Sequence, residues 1–180
     1  KLSKKTKINF SNYNDLFSNT KKKTYDFEIL LIFSRDILDQ FSINQKNQKS
    51  RLNKIIKAIE SKAKSNKDTN YLIFFSSYYF NNLSENIKTN LSNNIKNLFS
   101  NKIYKSSKNN SNIYYIDIDN FFSEIGFNSC FDNRNFYHLR CPLSLIGLEV
   151  FIKTIKNTIE TINIPRKKVL LLDCDNTLWG

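Results

Sequence analysis

The sequence predicts an α/β protein, a three-layer sandwich on a mainly parallel sheet. Four short apolar runs, 27–33, 71–75, 113–117 and 169–172, are rich in β-branched and aromatic residues, as strands buried on both faces are. Longer stretches with apolar residues at helical spacing separate them, and this alternation of strand and helix is the pattern of parallel βαβ units. At 180 residues and 40% hydrophobic, the chain is long enough to bury one core. No run approaches the roughly 18 apolar residues needed to cross a bilayer.

Residues 1–25 are polar and aperiodic, with Phe10, Tyr13, Leu16 and Phe17 as anchors. Because the chain begins at Lys1, the start of a domain is expected to be missing. The α/β domain is expected over 26–163. Phe27–Phe33 is its first strand, and residues 34–49 are mixed. From Ser50, a plausible N-cap, Leu52, Ile55, Ile56, Ile59 and Ala63 mark a helix with Lys on its other face. After the strand Tyr71–Phe75, a helix opened near Ser84 carries Ile87, Leu91, Ile95 and Leu98. The strand Ile113–Asp117 leads into a helical turn over Asp119–Ile125, closed by Gly126. A loop over 127–142 stops at Pro142. Ser144 then caps a helix with the stripe Leu145, Leu148, Phe151, Ile152, Ile155 and Ile159. Residues 164–180 read as a junction around Pro165 and Arg166-Lys167-Lys168, then the strand Val169–Leu172. That strand either joins the first sheet or opens a second domain.

The net charge is +12, yet 23 of the 28 basic residues are Lys and Asn supplies another 27 residues. The excess is spread over the chain in short runs. It lacks an Arg-rich stripe interleaved with aromatics, so a solvated basic surface is the reading and nucleic acid is not the expected partner. Three cysteines without a CxxC pair exclude a zinc ribbon and a disulfide scaffold, and the expected compartment is the cytoplasm.

The chemistry sits at Asp173-Cys174-Asp175-Asn176-Thr177, directly after a buried strand. Ligands of open α/β folds bind beyond the carboxyl ends of strands. Asp173 placed there could attack a phosphoryl group and form an aspartyl-phosphate. Asp175 could protonate the leaving group and then activate water. Two carboxylates beside a phosphate imply Mg²⁺ held by oxygen ligands. The plainer alternative is that both are acids capping a turn at a strand end.

The string Leu172-Asp173-Cys174-Asp175-Asn176-Thr177-Leu178-Trp179-Gly180 resembles the first motif of the haloacid dehalogenase (HAD) superfamily, in its FkbH-like branch, the HAD-IIIC phosphatases. The segment from Phe131 to Ser144, with Asp132-Asn133-Arg134, Phe136-Tyr137 and Pro142-Leu143-Ser144, is similar to the stretch that precedes that motif. The resemblance implies an SGNH-hydrolase-like (flavodoxin-like) domain followed by the first strand of a HAD domain. It also implies a phosphatase or acyltransferase that takes a glyceryl or related unit from a phosphorylated acyl donor and loads it onto an acyl carrier protein. Asp173 would be nucleophile and Mg²⁺ ligand, Asp175 acid/base and ligand, and Asn176 and Thr177 would contact substrate. The superfamily's later motifs, which complete the phosphate clamp and metal cage, lie downstream of the first and are not among these residues. The chain is therefore expected to be a fragment, inactive as a phosphatase by itself. The alternative is a non-catalytic module that docks an acidic carrier protein.

His138, the single histidine, invites a hydrolase reading with Asp132 as its acid and a strand-end serine, Ser34 or Ser76. The spacing and the missing flanking glycines argue against it, and structural hydrogen bonding by His138 is the expectation. Arg134 and Arg140 could meet an anion or tie their loop to the sheet. Cys174 lies between two acids that suppress its thiolate, and Cys130 and Cys141 are loop thiols with His138 as the one candidate base.

Overall fold

β1 (Phe27–Phe33), β2 (Asn70–Ser76) and β3 (Ile113–Asp117) form one parallel sheet in the order β1-β2-β3. The computed structural model describes residues 7–9, 16, 25–37, 45–78, 85–139 and 141–164, and the expected strand Val169–Leu172 lies outside them. The chain divides into two units, Lys1–Asn120 and Phe121–Gly180. Among the described residues no helix is long and apolar enough to cross a membrane.

In the first unit β2 is the central strand, and Tyr71 to Ser76 are all buried. This explains a continuous apolar run in place of alternation: both faces of β2 are covered. The register aligns Leu30 with Ile73 and Ile73 with Tyr115, then Ile32 with Phe75 and Phe75 with Asp117. These rows share one face, because partners in a parallel ladder point the same way. α2 (Gln45–Ser65) and α3 (Glu85–Asn109) link the strands. Both crossovers step in the same direction, so right-handed connections place both helices on the same face. The core agrees: Leu52, Ile55, Ile56, Ile59 and Ala63 of α2 and Ile95, Phe99 and Ile103 of α3 pack with Ile32, Ile73 and Phe75 in one cluster. Each fully buried Ile or Phe contributes about 1.5–3 kcal/mol. On the opposite face Leu72 and Phe74 are also fully buried.

Two elements begin differently from the sequence reading. α2 starts at Gln45, five residues before Ser50, which is an exposed interior residue of the helix. Gln and Lys between 45 and 49 are good helix formers, and Gln48 is buried, so the helix extends back to cover it. A short helix, α1 (Ser34–Ile37), follows β1 directly. The Asp36 carboxylate accepts from the Phe33 N–H at 2.8 Å, and Ile37 drops into the core. At the other end of the sheet the Asn112 side-chain amide donates to the carbonyls of Ala63, Asn66 and Thr69 at 3.0–3.2 Å. One side chain thus satisfies orphan acceptors at the α2 terminus and ties them to the start of β3.

α4 (Asp119–Ile125) starts in the first unit and ends in the second at Gly126, whose φ of 106° is open to glycine at little cost. The stretch expected as a loop carries a 3-10 turn (Phe127–Cys130) and a helix, α5 (Asn133–Leu139), bracketed by an antiparallel bridge between Phe131 and Leu143. Phe131 packs against Phe122 and Phe127, with ring centroids 5.2 and 4.9 Å away. α6 (Leu145–Asn163) begins as expected: the Ser144 hydroxyl accepts from the Gly147 N–H at 3.1 Å. Its buried seam takes in only part of the expected stripe: Phe151, Ile155 and Ile159 are half-buried. Gly147 and Thr154 are buried, whereas Leu145 and Ile152 are 72% and 63% exposed. A Cβ on Gly147 would lie 2.1 Å from the Cys130 carbonyl oxygen. The closest backbone approach, made where there is no side chain, sets the rotation of the helix ahead of apolar area.

Candidate functional site

The carboxyl ends of parallel strands are where an α/β fold offers free backbone groups. Here they bring together Ser34 after β1, Ser76 and Ser77 at the end of β2, and Asp117 and Asp119 after β3. Asp119 opens α4, and its N–H donates to the Asp117 carboxylate at 3.2 Å. Its own carboxylate accepts the Ser77 N–H at 3.0 and 3.2 Å through its two oxygens. Lys96, projecting from α3 on the face that carries Asp117, donates to Asp117 Oδ2 at 2.7 Å and Asp119 Oδ2 at 3.2 Å. Burial pulls the Lys96 ammonium down, but the two carboxylates outweigh it and leave its pKa above the ordinary lysine value. Tyr115 lies beside this cluster. Its hydroxyl is pushed up to about 12 by burial, with the Asp117 and Asp119 charges adding and the Ser100 hydroxyl and Lys96 charge opposing.

This chemistry is that of a tether. A lysine held charged is no general base, and carboxylates committed to an ammonium and backbone N–H groups are poor ones. The Asp117-Ile118-Asp119 spacing after a buried strand was legible in the sequence, and its partner Lys96 was not. Ser34 and Ser76 are both fully buried. Ser34 Oγ has no hydrogen-bond partner among the described residues, while Ser76 Oγ accepts from the Tyr78 N–H at 3.2 Å. Burial pushes the Asp36 carboxyl above the usual range, opposed by the Phe33 N–H and then by Arg35 and Arg51.

The second unit decides the fate of the His138 reading. Asp132 does not orient the histidine: Arg134 grips it with Nε and a terminal nitrogen at 3.1 and 2.9 Å, while the Arg134 N–H donates at 2.9 Å. Those hydrogen bonds hold the Asp132 carboxyl below its ordinary pKa. The His138 side chain is exposed on α5 and makes no hydrogen bond among the described residues, so the structural bonding expected of it is not found there. Asp132 also donates its N–H to the Pro142 carbonyl at 2.7 Å, and the Asn135 amide reaches the Leu143 carbonyl at 2.8 Å. The segment 131–144 is thus folded on itself through its polar residues. Cys130 is buried, and that burial raises its thiol pKa.

Asp173, Asp175, Asn176 and Thr177, with Cys174 and Arg140, lie outside the described residues. Among the described residues no group of three or more His, Cys, Asp or Glu side chains is placed to hold a metal ion. Compared with protein-family models, curated proteins and solved structures, the chain matches none.

Proposed function

We propose that the chain carries the N-terminal α/β domain and first catalytic strand of an FkbH-like HAD-family phosphatase or acyltransferase. The observation that carries the reading is the string Val169–Gly180, an apolar strand running into Asp-x-Asp-Asn-Thr-Leu-Trp-Gly. A strand-end Asp-x-Asp alone is insufficient, since Asp117 and Asp119 form one that acts as a tether. The string at 173–180 differs in its flanking Thr177 and Trp179-Gly180. In this reading an Asp173 oxygen attacks a phosphoryl group, an O–P bond forms, and the bond to the leaving oxygen breaks as Asp175 protonates it. Asp175 then takes a proton from the water that releases phosphate. Two carboxylates are the hard oxygen donors Mg²⁺ prefers, and the ion would neutralise charge on the phosphoryl oxygens. Asn176 and Thr177 would contact the phosphorylated acyl donor, an acyl carrier protein would receive the product, and the setting would be the cytoplasm.

The test uses the protein expressed from its full reading frame. Mg²⁺-dependent phosphate release from an acyl phosphate is expected, with turnover abolished by Asp173→Asn. Turnover retained in that variant sinks the assignment.

A further inference from the structure

The outer surface of the two crossover helices carries a charge imbalance that the fold does not use. Within α2 and α3 the described side chains include six cations on α2 (Lys49, Arg51, Lys54, Lys57, Lys62, Lys64) and four on α3 (Lys96, Lys102, Lys105, Lys108), against the single acid Glu60. Four of the ten have partners within the fold: Lys62 pairs with Glu28 of β1 at 2.8 Å, Lys96 holds Asp117 and Asp119, the Arg51 charge acts on the Asp36 carboxyl, and Lys108 sits over the Tyr104 ring. Glu60 is occupied too, accepting from the Ser106 hydroxyl of α3.

That bond fixes how the helices lie. They run side by side in the same direction, with Glu60 level with Ser106. Lys57 and Lys64, three residues before and four after Glu60, fall on the flank of α2 that faces α3. Lys102, four residues before Ser106, and Lys105 fall on the matching flank of α3. Lys57, Lys64 and Lys105 are exposed, and Lys102 is half-buried. Among the described residues none of the four is in an ion pair. Leu98, 38% exposed, adds an apolar contact to the same flank.

We propose that this inter-helix surface docks an acidic amphipathic helix of a protein partner. A shallow valley between parallel helices is the shape that receives a third helix. Lys57 and Lys64 lie two turns apart, about 10 Å, and Lys102 and Lys105 nearly one turn, about 4.5 Å. Acidic residues at i, i+3 or i+4, and i+7 of a docked helix match those spacings, with a leucine one turn before them to meet Leu98. Nucleic acid fits less well, because single strands need stackable rings. The exposed aromatic ring of α3, Tyr104, already has Lys108 Nζ 4.7 Å above its centre, and Phe99 is buried. This proposal extends the carrier-docking part of the reading above, yet its test involves neither Mg²⁺ nor turnover, so the two fail separately.

The experiment is fluorescence anisotropy with a labelled helical peptide bearing Glu on both flanks of a Leu row, at low and at physiological ionic strength, against the full chain. Binding that weakens with salt is expected. The pair Lys57→Glu/Lys105→Glu should weaken it by on the order of tenfold. Lys67→Glu, an exposed position in the turn after α2, should leave it within about twofold. Absence of binding, equal loss in the Lys67→Glu control, or tighter binding of a labelled oligothymidylate would overturn the proposal.

Discussion

Gly147→Ala is the sharpest perturbation the structure offers, because the added atom has nowhere to go. Its Cβ would stand 2.1 Å from the Cys130 oxygen, 3.0 Å from the carbonyl carbon and 3.2 Å from Cα. An ordinary carbon–oxygen contact is about 3.3 Å, so the gap must open by about 1.2 Å. All three atoms belong to the backbone, and no rotamer change relieves the clash. Moving α6 that far stretches the Ser144 N–H to Cys130 carbonyl bond, now 2.9 Å, and the Ser144 hydroxyl to Ser129 carbonyl bond, now 2.7 Å, beyond hydrogen-bonding range. Two lost bonds cost about 2 kcal/mol and residual overpacking about 1–3, while the helix preference for Ala over Gly returns about 1. The net is about 2–4 kcal/mol of local stability, or roughly a 30- to 700-fold larger population of the open state. Cys130 is the reporter, since it is fully buried beside this contact. In a Cys141→Ser/Cys174→Ser background, its reaction with an aromatic disulfide reagent should accelerate by that factor when Gly147 becomes Ala. Acceleration below about threefold would refute the argument that backbone approach at Gly147 sets the placement of α6.

Two further substitutions probe the first unit. Phe99→Ala removes a fully buried ring stacked 4.7 Å from Phe75 at 17° and packed against Tyr115. It should cost about 3–5 kcal/mol, and a urea midpoint implying less than about 1 kcal/mol would contradict the assigned core. Lys96→Met strands Asp117 and Asp119, for a loss of about 1–2 kcal/mol near neutral pH. Because the folded lysine has a raised pKa, the stability it supplies is fully present below the ordinary value of 10.5 and fades as pH climbs through the higher folded value. Thermal melts of parent and variant should therefore converge above pH 10.5, and a constant difference would mean that Lys96 is not the anchor.

Much of the first unit was legible because its signals are local. The runs 27–33 and 113–117 matched β1 and β3 residue for residue, and 71–75 lay within β2, since their shortness and their β-branched and aromatic residues favour strand over buried helix. Ser144 was readable as a cap for the same reason: the bond it makes reaches three residues along the chain. α5 was not legible, since its pattern Asn133-Arg134-Asn135-Phe136 resembles a loop until the Phe131–Leu143 bridge and the Asn135 bond close around it. At the strand ends the sequence displayed the acids Asp117 and Asp119, but Lys96 lies 21 residues before Asp117 and meets it only across the helix-sheet layer.

The sequence by itself determined the alternation of strand and helix and the parallel sheet that follows from it. These depend on periodicity and on residue types at short spacing, where the chain is its own ruler. Only the tertiary structure decided that α2 and α3 share one face of the sheet, that Asp132 is held by Arg134, and that α6 turns Gly147 inward while leaving Leu145 and Ile152 exposed. Each of these is settled by which groups approach most closely once distant segments pack. Steric fit and the pairing of buried charge vary over fractions of an ångström, a scale that hydrophobic periodicity does not register.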